Sequence, residues 1–356
     1  MAEDANSTVP FVGEEDINRS AAEALVETIK TRAEVHRFRR IATHFSKWEL
    51  PRSFVGYRAD PTVQTSGSAP KWVLRSHRDE LPDYIVKLPY RYGLRETLTE
   101  LLINQLGVAF GFDMAHSGLV SVDGVPAFVS RSFLAPKESL VHGVFLIEEV
   151  HEVPHGELDK LPRGRKEQEF YSIDFVIQNI EQFCGDDSQA VITKFVEMLL
   201  FDALIGATDR HAQNWGVIRA STTQGGYRFS PIFDTSRGLF WNFSDDKLLT
   251  FRKEEMALRY HVDRACPVMG PEPKRLTSRR CNHFDFLASL FSVFPSLKVT
   301  AVTKVPCSIG RSAATILDNF PFRDGFSKLR REMILKLILL RADMVSQMLT
   351  KGGGAT

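Results

Sequence analysis

The chain has 356 residues, of which 43% are hydrophobic and 25% charged, with a formal net charge of +1. That length favours two lobes over one small core, and a near-neutral balance provides no whole-chain field to recruit nucleic acid or membrane as the main partner. Four scattered cysteines (Cys184, Cys266, Cys281 and Cys307), with no Cys-x-x-Cys pair, argue against a zinc framework or a disulfide scaffold and for a reducing compartment.

The opening MAEDANSTVP lacks a basic stretch followed by an apolar run, so no secretory signal is expected. The most apolar late window, MILKLILL, falls far short of the ~20 residues that span a bilayer. A cytoplasmic protein without membrane contact is the expectation. Residues 1–15 are polar and acidic and are expected to fray. From Asn18 to Trp48 the chain reads as a helix, with Ser20 as N-cap and Pro51 as stop. It carries Lys30, Arg32, Arg37, Arg39, Arg40 and Lys47 against the single acid Glu34. Without aromatic interleaving or a groove-reading motif, this basic run reads as a solvated face, and no direct nucleic-acid contact is expected.

KWVLRS (71–76) and DYIVKLP (83–89) read as a β-hairpin, followed by a helix from Arg95 to Phe110 and a second hairpin of SGLVSV and VPAFVSRSF. Strand, strand, helix, strand, strand describes a small antiparallel sheet carrying one helix, an α+β lobe. Residues 135–168 read as a loop-rich linker in which VFLIEEV (144–150) is a candidate short strand. Beyond it the chain turns helical, at Phe175–Phe183, at Ala190–Ala207, at 283–295 and from Ser327 to Leu349. The domain reading is thus a tail with a basic helix (1–50), a small lobe (51–134), a linker (135–168) and a helical lobe (169–350).

The most informative stretch runs from Leu204 to Trp241. A buried helix ends at Gly206-Ala207, and Asp209, Arg210, His211, Gln213 and Asn214 follow within six residues. An apolar run, WGVI, a polar turn and YRFSPIF then lead to the isolated Asp234. Phosphoryl transfer needs one carboxylate facing the acceptor hydroxyl and further oxygen ligands for Mg²⁺. Asp209, Asn214 five residues on, and Asp234 one hairpin later match that need. Taken singly, Asp-x₄-Asn also fits an Asx-rich turn that caps the helix. His211 neighbours Asp209 and is a candidate to orient it.

In the first lobe Lys87 sits inside an apolar strand, where a lysine is out of place unless it reaches phosphate or points to water from an edge. Glu100, on the helix just after, is its candidate partner. TVQTSGSAPK (62–71) sets Gly67 and Ser68 ahead of Lys71, a stretch that reads either as a backbone cradle for phosphate or as a plain turn. His151 and His155 have metal-like spacing, but Pro154 opposes a helix that presents both.

LIGATDRHAQNWGV, GGYRFSPIFD, YIVKLP and the Ser-Gly-Ser-Ala-Pro-Lys loop together resemble the HipA-like serine/threonine kinases, in order from Thr62 to Leu349. The resemblance implies a two-lobed fold related to protein kinases and phosphoinositide kinases, with ATP between the lobes. It implies Asp209 as catalytic base, Asn214 and Asp234 as Mg²⁺ ligands, Lys87 as the ATP-phosphate lysine and Gly67 to Lys71 as the phosphate loop. Val129 to Phe133, including Ser130 and Arg131, would form the hinge against adenine, through backbone groups. Glu100 falls where the family often has a helix glutamate. The implied partners are a protein substrate, for the best-known members an aminoacyl-tRNA synthetase, and an antitoxin-like regulator. A small-molecule or lipid kinase, and a non-catalytic binding module, are the alternative readings.

Overall fold

The structure is a computed structural model that describes residues 38–42, 57–60, 71–76 and 81–351, the last with short gaps at 91, 123–124, 155, 158–164, 222–224, 276–279, 306–307 and 321–324. Among the described residues, the first lobe is a six-stranded antiparallel sheet with one helix. Its strands are β1 (Phe38–Ala42), β2 (Tyr57–Asp60), β3 (Lys71–Ser76), β4 (Tyr84–Lys87), β5 (Ser117–Val122) and β6 (Val125–Arg131), in the order β1-β5-β6-β4-β3-β2. Helix α1 (Leu94–Ala109) lies on β5 and β6. Its leucines at 98, 101, 102 and 106 are buried, which is why helical spacing identified it.

The sheet separates two apolar clusters. Leu119 and Phe128 face α1 and the main core, whereas Leu74, Tyr84, Val86, Val120 and Val129 form a second cluster on the other face. That alternation is the two-residue strand period, and it decides which side chains can meet a ligand.

Residues 135–168, expected to be loop-rich, hold β7 (Glu138–His142), α2 (Gly143–Val150) and α3 (Arg165–Phe170). VFLIEEV is therefore helix, not strand. Apolar runs this short do not distinguish the two, and packing decides here: any Cβ at Gly143 would overlap the Trp215 ring, so the glycine lets the helix start against the core. The helix expected over Asn18–Trp48 is corrected at Phe38–Ala42, a strand paired antiparallel with β5 from Phe38↔Val122 to Ala42↔Leu119. Partnership with an open sheet edge overrides local helix preference. The rest of that expected helix lies outside the described residues.

The second lobe is mainly helical: α4 (Ile173–Cys184), α5 (Ser188–Ile205), α6 (Asp245–Lys253), α7 (Glu255–Arg264), α8 (His283–Val293), α9 (Pro295–Lys304), α10 (Ile309–Asp318) and α11 (Lys328–Lys351). Helix α5 is the axle, packed by α4, α8, α9 and α11, and Val191, Phe195, Leu199, Leu200 and Leu204 are all buried on it. β8 (Gly216–Ala220) and β9 (Tyr227–Phe229) pair with β7 in a three-stranded sheet, order β7-β8-β9.

Two further contacts join the lobes. α10 packs on α1. The segment after α1 binds the segment after β9 through backbone bonds, Ala115 N–H to Ile232 O (2.9 Å) and Ile232 N–H to Asp113 O (2.7 Å). Among the described residues no helix is long and apolar enough to cross a membrane.

Candidate active site

The cleft between the lobes gathers charge from four places. Lys71 and Lys87 are direct neighbours across the β3–β4 ladder, so both project from the face that carries α1. Lys87 Nζ lies 2.6 Å from Glu100 Oε1 and 2.8 Å from Asp234 Oδ1, and Lys71 Nζ lies 3.5 Å from Asp234 Oδ2. The Lys87 side chain is 12% exposed and that of Glu100 5%, so this lysine is not an edge residue pointing to water.

Burial opposes ionisation of Asp234, but the ammonium groups of Lys87 and Lys71 outweigh it and hold the carboxyl well below the usual aspartate range. Burial also opposes the charge on Lys87, and Asp234 and Glu100 overcome it, raising the lysine above its ordinary value. Glu100 lies deeper, and there burial dominates and pushes the carboxyl up against the pull of Lys87.

The opposite wall is the loop after α5. Gly206 ends that helix in the left-handed region (φ 69°), with its N–H and that of Ala207 closing on Asp202 O. Only a residue without Cβ takes that geometry at little cost. The turn delivers Asp209, whose carboxylate meets Arg237 (Nη1 to Oδ1, 3.1 Å), and Asn214, whose Nδ2 donates to Asp209 O at 2.8 Å. The donation fixes the amide plane and turns Asn214 Oδ1 the other way, as an oxygen donor. His211 sits within the turn: its N–H donates to Asp209 O (2.9 Å), and its ring Nδ1 receives the Gln213 N–H (3.3 Å).

Arg210 is the organiser that sequence reasoning passed over. Its guanidinium is 3% exposed and doubly bonded to Asp202 of α5, Nε to Oδ2 and Nη2 to Oδ1, both 2.9 Å. Its Nη1 donates to both Asn214 O and Phe233 O, each at 2.7 Å. One nitrogen therefore gathers the backbone of the amide residue and that of the residue before Asp234. Asp234 itself has a φ of 54°, rare for a residue with a side chain and the kind of strain that clusters at functional sites. The signal available in the sequence was an arginine one residue from Asp209, with an aspartate in the apolar run MLLFDALI eight residues before it.

The hinge candidates divide. Ser130 pairs with Ile85, on the Lys87 face, and its Oγ donates to His116 O at 3.4 Å. Arg131 pairs with Tyr84, so its side chain lies on the far face, while its N–H goes to His116 O. Beyond the strand, the Phe133 ring lies tilted against Phe233 at 5.7 Å, and the His142 ring lies edge-on to Phe233 at 5.9 Å. Gly67 and Ser68 lie outside the described residues. So does His155, and His151 stacks on Phe175.

No three His, Cys, Asp or Glu side chains cluster as a metal cage among the described residues. One amide oxygen beside one carboxylate whose oxygens already face cations is a donor set that fits Mg²⁺, which takes few protein ligands and completes its shell from phosphate and water. The residues present fit that ion.

Comparison with known proteins bears on the fold and the family. The serine/threonine-protein kinase CtkA of Helicobacter pylori is 27% identical over 146 residues, 38% of this chain and 39% of that one. That alignment spans about two fifths of the relative's length. The crystal structure of the H. pylori proinflammatory kinase CtkA superposes with a TM-score of 0.64 at 17% identity, over 83% of this chain and 95% of that one. HipA in the Shewanella oneidensis MR-1 complex of HipA, HipB and operator DNA superposes at 0.53 with 14% identity, over 94% and 73%. These likenesses show the fold, a two-lobed α+β kinase-like architecture with a small antiparallel sheet in its first lobe. Residues 63–283, more than half of the chain and all of the cleft's acidic and basic side chains, match the HipA-like C-terminal domain, and the protein belongs to that family.

Proposed function

We propose that the protein is an ATP- and Mg²⁺-dependent serine/threonine kinase that transfers the γ-phosphate of ATP to a protein hydroxyl. The observation that carries this reading is the single Arg210 nitrogen bonded to both Asn214 O and Phe233 O, which brings amide and carboxylate together opposite the Lys87–Glu100 pair.

The roles follow from the chemistry. Lys87, steadied by Glu100, meets phosphate oxygens, and Lys71 adds a second positive charge at the same end. Asn214 Oδ1 and the Asp234 carboxylate would hold Mg²⁺, which supplies charge neutralisation against the phosphates when bound. Asp209 faces the acceptor and takes the hydroxyl proton as the oxygen attacks, while His211 shapes the turn that presents it. The β6 exit from Val129 to Phe133 would receive the base through its backbone, with the Phe133–Phe233 ring pair beside it. The phosphate loop around Gly67 and Ser68 belongs to this reading as well.

The family resemblance supports a protein substrate, an aminoacyl-tRNA synthetase or another translation component, and an antitoxin-like regulator. HipA of Shewanella oneidensis was solved with HipB and operator DNA. A cytoplasmic location accords with such a substrate.

The test is incubation with γ-labelled ATP and Mg²⁺, alone and with lysate. Label on the protein or on a lysate protein, abolished in Asp209→Ala, is the expected result. A folded wild type that labels nothing refutes it, and label on metabolites alone turns the reading to a small-molecule kinase.

A further inference from the structure

Glu96 lies one helical turn before Glu100 on α1, and none of the roles above uses it. Its carboxylate accepts the Tyr92 backbone N–H, yet Oε2 is buried with no hydrogen-bond partner. A buried acceptor left unmet is costly, so this oxygen is an unfilled position beside the cleft. Burial is the largest influence on Glu96, and among the charges acting on it Arg237 comes first, ahead of Lys87 and Asp234.

Arg237 is engaged elsewhere. Its Nη1 holds Asp209 Oδ1 at 3.1 Å and its guanidinium lies 5.4 Å from the Trp241 ring. Its backbone is pinned, because Arg237 O receives the Thr208 N–H at 3.1 Å. Trp241 in turn packs edge-on to Tyr92 at 4.9 Å, the residue whose backbone binds Glu96. A fixed backbone and a fixed aromatic support thus leave one planar fork beside two carboxylates. One of them is occupied, and the other has an oxygen open.

We propose that Arg237 is a latch on the catalytic carboxylate, with Glu96 as its second seat. Resting on the kinase reading, the idea is that the guanidinium covers an Asp209 oxygen until an acceptor hydroxyl takes that place, and then moves to Glu96 Oε2. The exchange trades one charge-assisted hydrogen bond for another and satisfies the orphaned oxygen. A guanidinium expelled into solvent would gain neither. Glu96 is then a positioning residue that never touches substrate, and it sets how readily the base is uncovered.

Two arms test this. A crystal structure of the Asp209→Asn protein, whose first seat has lost its charge, reads the latch without turnover. Arg237 within hydrogen-bond distance of Glu96 Oε2 is expected, and Arg237 still on residue 209 or out in solvent overturns the proposal. In the kinetic arm, Glu96→Gln should lower kcat about tenfold with little change in KM for ATP, the loss of one charge-assisted hydrogen bond. It should have no further effect in an Arg237→Met background. An equal loss in both backgrounds, as a merely structural carboxylate gives, also overturns it. A wild type that transfers no phosphate sinks the kinase reading instead, and the crystallographic arm then decides the latch alone.

Discussion

Asp202→Asn removes the charge that balances Arg210 while keeping the shape of the side chain. Both partners are nearly sealed from solvent, at 3% and 2% exposed, and the pair is bidentate. Breaking such a pair from one side typically costs about 3–5 kcal/mol, because a buried guanidinium is left uncompensated. Against a total stability of roughly 5–15 kcal/mol that is a large fraction, and at about 1.3 °C per kcal/mol for a chain of this length it lowers the melting temperature by roughly 4–7 °C. Urea unfolding followed by far-UV circular dichroism gives the free energy directly. The double variant Asp202→Leu with Arg210→Met separates charge balance from positioning. An apolar pair of similar volume removes the uncompensated charge and should recover part of the lost stability, the two carbonyls that Arg210 served remaining unmet. It should not recover phosphoryl transfer, because Asn214 O and Phe233 O have lost their common donor. A loss under 1 kcal/mol in Asp202→Asn would refute the burial argument. Full activity in the double variant would refute the positioning argument.

Lys87→Met leaves Glu100 and Asp234 without their shared ammonium. Label transfer should fall by at least about a hundredfold, the usual scale for removing a preorganised electrostatic group, while circular dichroism confirms a fold; retained transfer would exclude a phosphate role for Lys87. His261 lies among Phe240, Phe243 and Phe251, and burial, with Arg341 and Lys247 adding to it, lowers its pKa from 6.5 to about 4. The folded state thus prefers the neutral ring, so the unfolded chain takes up the proton first as pH falls. Its contribution is fully present above pH 6.5 and is lost as pH drops through about 4, up to roughly 3 kcal/mol by linkage. His261→Phe should therefore flatten stability against pH in that window, and an unchanged slope would show that the ring is not neutral in the fold.

The candidate site's geometry was legible where its logic is local. Asp209, Asn214 and Asp234 fall at a helix end, after a turn and after a hairpin, and each of those is written in adjacent residues. Lys87 stood out because a cation inside YIVK conflicts with burial. Partnerships across distance were not legible. Arg210 resembled one more polar residue in an Asx-rich turn, because its pairing with Asp202, eight residues back, is made only once the chain reverses at Gly206. β7 reads as ESLVH, with little apolar alternation, and becomes a strand because β8 offers it a ladder from Glu138↔Ala220 to His142↔Gly216. Helices α6 and α7 carry mostly charged faces, with Leu248, Phe251, Leu258 and Val262 as their buried anchors, too sparse a stripe to announce them. α10 was readable and missed: Ile309, Ala313, Ile316 and Leu317 are spaced as one helical face.

The paired backbone bonds at Ile232 have a mechanical consequence. Asp234 stands two residues beyond a point clamped to the small lobe at Asp113 and Ala115, while Arg210 anchors the preceding carbonyl to the helical lobe. The carboxylate is thereby surveyed from both sides of the hinge. Opening the jaws far enough to part Asp234 from Lys87 would require tearing main-chain bonds, so the charged end of the cleft stands assembled before any ligand arrives.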